Sequence, residues 1–281
     1  MSANVISMRD ALYEEPGPKT RRRILVGTIV ASIAVAALFV FIAWRFYVTG
    51  QLSPKYWSFF TKVSTWRYLG QGLLGTFQVA LTAGAISLVL GVLFMLGRIS
   101  RNKVGSAIFR VVVNFFRGIP SLLLIYFFFL VIPSYGIKMP AFWMLALPIS
   151  LTASGVLAEV FRAGVNAVPK GQREAALSLG MSEGKVMRKI ILPQAIRFVI
   201  PSLISQLVVV VKDTTVAYVV SFPDMLQNAR VLITNYDALV STYFVVAIIY
   251  ILINYAINQA SVAVARRSGA KVIARTEEEP V

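Results

Sequence analysis

Long apolar stretches alternate along the chain with short polar segments, and the apolar stretches are too long to be elements of a soluble core. Residues 24–43 carry no charge and are followed by Trp44 and Arg45. Stretches of the same kind lie within 68–97 and over about 107–132, 142–161, 195–220 and 240–264. A helix crosses a bilayer in about 20 apolar residues, so the pattern predicts six transmembrane helices and an all-α integral membrane protein. The apolar core of the first exceeds the roughly 7–15 residues of a cleaved leader, which favours an uncleaved anchor. Gly70, Gly72, Gly75, Gly84 and Gly91 predict close helix contacts along the second. In the third, Arg117-Gly118-Ile119-Pro120 predicts a kink or break, tolerable at membrane depth where protein or a wet cavity satisfies the backbone.

Composition agrees with the pattern. Of the 281 residues, 57% are hydrophobic and 14% charged, far from the balance of a soluble domain. Cysteine and histidine are absent from the sequence. That excludes disulfides, thiol nucleophiles, histidine acid–base chemistry and most transition-metal sites, and no metal or cofactor is expected in this chain. The net charge of +16 lies beside the spans, as topology signals do, rather than on a nucleic-acid-binding face. With both termini inside, 19 Lys and Arg fall on the inner side and six on the outer, while Arg117, Arg197 and Lys212 sit in or at the edge of spans. The bias predicts a multi-pass plasma-membrane protein with a cytoplasmic tail (1–23), an N-terminal helix (24–46), a membrane domain (68–265) and a second cytoplasmic tail (266–281). The polar connectors 47–67 and 221–239 then lie outside, and the loop 165–193 lies inside.

That loop holds the densest charge between two spans. Residues 171–179 predict a short helix with the small side chains Ala175 and Ala176, ended by Gly180 in the left-handed geometry helix ends favour. Ser182 is placed to cap a second helix, with Glu183 at its positive end. Val186 with Ile190, and Met187 with Ile191, stack at i,i+4 spacing and leave Lys185, Arg188 and Lys189 on wetter faces. Pro193 then starts the next span. Spacing alone leaves two readings open: an amphipathic segment on anionic membrane lipid, or a helix–turn–helix knob that docks on a soluble partner.

Arg117, Glu159, Lys212 and Asp213 are charges at membrane depth. Each costs about 2.5–3.5 kcal/mol there and is expected to face protein or water. Neighbours on a helix do not face each other, so Lys212 and Asp213 need separate partners or a distorted helix. Some of these charges could line a path and meet the charged groups of a solute. The alternative is interhelical pairing that fixes packing, favoured for Glu159 beside Arg162. Tyr126-Phe127-Phe128-Phe129 are expected to face lipid or pack.

Glu174-Ala175-Ala176, then Gly180, Ile190 and Leu192-Pro193, resembles the EAA motif of ABC importer permease subunits. Asn114-Phe115-Phe116-Arg117-Gly118-Ile119-Pro120 resembles the NxxRGTP segment of the polar amino-acid branch, with Ile119 in place of Thr. Ala158-Glu159-Val160-Phe161-Arg162-Ala163-Gly164, Pro169-Lys170-Gly171-Gln172 and Lys212-Asp213-Thr214-Thr215 are similar to the same branch. The resemblance covers about 68–267. It implies the five-helix core of a type I ABC importer permease, with one added N-terminal helix. The flanks, among them Leu12-Tyr13, Pro16-Gly17-Pro18 and Gly50-Gln51-Leu52, are similar to actinobacterial glutamate-importer permeases.

The resemblance implies a permease subunit that imports glutamate or a related amino acid. It implies a second permease subunit, a dimer of ATP-binding subunits that hold ATP and Mg, and an extracytoplasmic substrate-binding protein. The coupling contact would comprise Glu174, Ala175, Ala176, Ser178, Gly180, Ile190, Leu192 and Pro193. Path candidates are Arg117, Gly118, Pro120, Glu159, Lys212, Asp213, Thr214 and Thr215. The chain lacks the GxxxxGK[ST] phosphate loop, which assigns ATP hydrolysis to a partner rather than to an enzyme activity of its own. Two rival functions share the spans: an ion-coupled secondary transporter using Glu159 or Asp213, and a non-transporting scaffold or sensor that binds an ATPase.

Overall fold

A computed structural model describes residues 17–100 and 102–267, so the expected tails lie largely outside the described residues. It divides into two units, Met1–Trp57 and Ser58–Val281. In the first, helix α1 (Pro18–Val48) begins before the charge-free stretch and takes in Lys19 to Arg23, which were expected in the cytoplasmic tail. Lys and Arg are good helix formers, and proline suits the first turn, where its missing N–H leaves no bond unmade. At the other end Thr49 Oγ1 donates to the Arg45 carbonyl at 2.6 Å.

The second unit is built from α2 (Val63–Arg98), α3 (Lys103–Gly118), α4 (Ser121–Ser134), α5 (Ala141–Ala167), α6 (Lys170–Ser178), α7 (Glu183–Val220), α8 (Met225–Tyr236) and α9 (Leu239–Arg267). Among the described residues of both units, five helices (α1, α2, α5, α7 and α9) are long and apolar enough to cross a membrane, or six if α3 and α4 together form one broken span. α5 is the central rod. Its Leu145, Ala146, Ile149 and Ala153 pack on Val79, Ala80 and Ala83 of α2 and on Val210 and Val211 of α7. Small residues carry much of this contact because lipid tails are as apolar as leucine. Close approach, rather than escape from water, favours association. A side chain at Gly91 would meet the Leu157 Cβ at 2.8 Å, and one at Gly155 the Arg117 backbone nitrogen at 2.8 Å. The hydroxyls of Ser150, Thr152 and Ser154 are satisfied within α5 itself: Ser150 Oγ donates to the Ala146 carbonyl at 2.5 Å.

The third predicted span is not one rod. α3 and α4 meet at 97° across Ile119 and Pro120. Proline at 120 holds Ile119 out of the helical region (φ −82°, ψ 131°), and α3 ends there. α3 also lies steeply across the end of α2. Ser106 Oγ donates to the Arg98 carbonyl at 2.5 Å, Phe109 fills the space beside Gly97, and Phe116 stacks on Phe94 at 6.2 Å. These contacts span about 15 Å of α3 but only about 6 Å of α2.

At the opposite end, α8 is stapled to α2. Cβ atoms at Gly72 and Gly75 would meet the Asp224 and Pro223 carbonyls at 2.7 and 2.5 Å, so only glycine admits this approach. Asn228 Nδ2 donates to the Tyr68 carbonyl at 2.7 Å, and the Met225 N–H donates to Thr76 Oγ1 at 3.2 Å. Asp224 caps α8 through its Oδ1, which accepts the Gln227 N–H at 2.7 Å. Its Oδ2 is buried beside the Tyr250 hydroxyl, and burial pushes the carboxyl up to about 6.

Candidate coupling surface and path

The knob is α6, a turn and the first turns of α7. α6 ends as expected: Gly180 takes φ +75°, its N–H donates to the Leu177 carbonyl at 2.9 Å, and the Met181 N–H donates to Ala176 at 3.2 Å. This is the paired closure of a Schellman motif. The start of α7 departs from expectation. Ser182 holds the N-cap position, but its hydroxyl makes no capping bond. Glu183 is held instead by Arg173, whose Nη2 and Nε donate to its two oxygens at 2.7 and 3.1 Å. This fork ties α6 to α7. The sequence reading missed it, since the partners stand ten residues apart across a turn.

Pro193 does not start a new helix. α7 runs unbroken from Glu183 through the span and widens to a π turn over Met187–Ile191. The wide turn falls where Pro193 can donate no N–H to the preceding turn, and Gln194 Nε2 supplies a donor to the Ile190 carbonyl at 2.9 Å. All four residues of the expected stripe, Val186, Met187, Ile190 and Ile191, pack in the inward cluster, with Val186 and Ile191 the most buried, and Lys185, Arg188 and Lys189 stay exposed.

The coupling candidates divide by environment. Glu174, Ala175, Ser178, Gly180 and Pro193 are exposed, while Ile190 and Leu192 are half-buried. Ala176, expected at the contact, turns inward and is 5% exposed, packed among Val168, Val186, Ile191 and Ala195. Successive helix positions differ by about 100°, so Ala175 and Ala176 cannot share one face. The tip also presents Leu177 and, at 83% exposure, Leu179. The sequence reading passed over these leucines, although two apolar residues flanking Ser178 at a polar helix end were a signal.

Of the path candidates, Glu159 and Arg117 come together. Glu159 lies among three arginines: Arg98 at the end of α2, Arg117 at the end of α3 (3.6 Å) and Arg162 one turn on (2.8 Å). The pairing with Arg162 was expected; the other two bring distant parts of the sequence to the same carboxylate. Asp213 lies within hydrogen-bonding reach of Ser121, next to the Gly118–Pro120 break. α7 stays α-helical through Lys212 and Asp213 and tightens into a 3-10 helix only beyond them, over Thr214–Val220. Thr214 is buried and donates to the Val211 carbonyl at 2.8 Å, Thr215 donates to Lys212 at 2.7 Å, and the Lys212 side chain is exposed. Among the described residues, no group of three or more acidic side chains could hold a metal ion.

The sequence pattern of the family described as binding-protein-dependent transport system inner membrane component matches residues 87–269. This chain belongs to that family. It is 31% identical over 240 residues to the glutamate transport system permease protein GluD of Corynebacterium glutamicum, covering 82% of this chain and 88% of that one. It is 32% identical over 199 residues to the probable glutamine ABC transporter permease protein GlnP of Bacillus subtilis, covering 69% and 90%. Among solved structures, it resembles the crystal structure of an amino acid ABC transporter with histidines, at TM-score 0.70 and 27% identity over 74% of this chain and 98% of that one. The chain is thus a multi-pass membrane permease subunit of an amino-acid ABC importer, a class whose ATP hydrolysis resides in a partner subunit and which works with a binding protein. The family assignment sets aside the ion-coupled and scaffold readings.

Proposed function

We propose that this permease imports glutamate or a closely related amino acid, and that the α6–α7 knob is the part its ATPase moves. The carrying observation is mechanical. The knob is closed by the Gly180 turn and the Arg173–Glu183 fork, and it continues into a membrane span without a break. A displacement of the knob therefore travels along α7 toward Lys212 and Asp213, where the helix changes pitch. Leu177, Leu179, Ala175 and Gly180 form the outward face and Glu174 supplies its charge. Two permease subunits, each with an ATPase, would alternate between openings, with the termini and knob on the cytoplasmic side as the charge bias favours. The Gly118–Pro120 break, Asp213, Thr214 and Thr215 are the stretch of path nearest the bend, with Arg117 and Glu159 gating its knob end.

Glutamate as cargo is supported by the likeness to the Corynebacterium permease over most of both chains. The test is uptake by the reconstituted complex, with labelled glutamate competed by glutamine, arginine and cystine. Glutamate transport that unlabelled glutamate suppresses most strongly supports the reading. Preferential transport of arginine would overturn the substrate while leaving the importer intact.

A further inference from the structure

We propose that the outward face of α8 and Tyr218 of α7 form a receiving site for the zwitterionic head of an amino acid, with Arg230 holding the α-carboxylate. The inference rests on the reading of the chain as an amino-acid importer and adds a binding position at the end of the chain away from the knob.

α8 has two unlike faces. Met225, Asn228, Ala229 and Leu232 are buried. Gln227, Arg230, Thr234 and Asn235 recur at helical spacing on the other side and, with Tyr218 and Ser221, line a recess of about 440 Å³. That volume suits a small solute. The Arg230 guanidinium lies over the Tyr218 ring, 4.7 Å from its centroid. Stacking fixes the plane of the fork and leaves its N–H edge free to hold a carboxylate through parallel hydrogen bonds. Among the described residues no carboxylate pairs with Arg230. Gln227 and Asn235 bring side-chain amide oxygens to the same recess, the acceptors that an ammonium group needs.

The recess also leads toward the path candidates. Tyr218 lies in the 3-10 segment Thr214–Val220, where side chains three residues apart line up. Thr215 and Tyr218 are therefore in one row, about 6 Å apart along the axis. Lys212 stands one turn further in, with its side chain exposed. A lysine at membrane depth faces water or protein rather than lipid, so this side of α7 is polar along its length. A solute leaving Arg230 would next meet the Thr215 hydroxyl and the Lys212 ammonium. A partner protein resting on the rim of α8 would have no use for that row, which favours a small solute as the occupant.

The experiment uses the whole transporter in proteoliposomes with saturating ATP, labelled glutamate or glutamine, and a range of binding-protein concentrations. Arg230→Gln lowers the maximal uptake of both about ten-fold, the loss of a charge-assisted hydrogen bond, and leaves the half-maximal binding-protein concentration in place. ATP hydrolysis continues at the wild-type rate, so ATP spent per molecule imported rises about ten-fold, which misfolding would not produce. Arg230→Lys, keeping the charge but losing the fork, falls between. A higher half-maximal binding-protein concentration with full maximal uptake would overturn the proposal, since the recess would then hold a carboxylate of the binding protein. Unchanged uptake and coupling would overturn it too. Phenylglyoxal labelling of Arg230, read by peptide mass spectrometry on the complex without ATP, tests the site apart from transport. Excess glutamine slows the labelling and glycinamide, which lacks a carboxylate, does not; equal labelling in both would overturn the site. Wild type importing arginine in preference to both solutes would overturn glutamate as the cargo, and the labelling would still decide the recess, because its ligand is the head common to all amino acids.

Discussion

Ala175 and Ala176 are chemically identical neighbours in opposite surroundings, so the same substitution at each should fail for different reasons. Leucine at 176 must fit among Val168, Val186, Ile191 and Ala195, all nearly inaccessible. Overpacking a closed cluster costs about 1–3 kcal/mol, which multiplies the open fraction of the knob about 5- to 160-fold. Leucine at 175 enters open space, and exposed substitutions move stability by about 0.5 kcal/mol or less, about two-fold in the same equilibrium. Amide hydrogen exchange of residues 170–191 in the purified complex separates the two. Ala176→Leu should speed exchange of α6 by at least about five-fold, while Ala175→Leu stays within about two-fold of wild type. Co-purification then reverses the contrast: Ala175→Leu keeps a folded knob yet loses its ATPase. If Ala176→Leu exchanges like wild type, the inward placement is wrong. If Ala175→Leu retains the ATPase fully, the exposed face is not the contact.

Three further outcomes follow from the geometry. Glu159→Gln leaves Arg98 and its neighbours without their carboxylate and should cost about 3 kcal/mol, the low end for a broken buried pair because Arg117 and Arg162 keep solvent access; an unchanged melting temperature would remove the cluster as a packing centre. Gly155→Ala places a methyl 2.8 Å from the Arg117 backbone nitrogen, so α3 must shift, with lower thermal stability and slower uptake expected; wild-type behaviour in both would refute the close approach. Asp224 has a native carboxyl raised to about 6, so the folded state holds its proton more tightly than the unfolded chain does. Its contribution is full below the ordinary carboxylate range and is lost as pH rises through about 6. Melting temperatures should therefore fall across that window in wild type and flatten in Asp224→Asn, whereas an identical slope in both would contradict the assignment.

Much of the membrane architecture was legible because its signals are local. Charge-free runs mark spans, Gly180 marks a helix end, and Pro120 marks a break. Periodicity could not foresee the π turn at Met187–Ile191, because the i,i+4 template assumes an unbroken hydrogen-bond ladder, and Pro193 breaks it from beyond the expected short helix. The size of the bend between α3 and α4 depends on how α3 settles across α2, a tertiary matter. The same is true of the site. Arg162 lies three residues from Glu159 and could be paired on sight, whereas Arg98 and Arg117 reach it only after three helices assemble. Ala176 was assigned to the contact by motif, and its burial is set by a partner cluster on another helix. Asp224 carried a readable signal, an acidic residue just before a helical run, but burial of its second oxygen depends on the packing of α8 against α2.

The central claim is that the chain conducts an amino acid when an ATPase moves its knob. The direct measurement is uptake of labelled glutamate into proteoliposomes holding the permease, its ATPase and its binding protein, for wild type and Leu179→Asp. The account predicts uptake that requires both ATP and the binding protein and that Leu179→Asp abolishes by detaching the ATPase from the exposed tip. Uptake that continues without ATP on an ion gradient, or that survives Leu179→Asp at the wild-type rate, would contradict it.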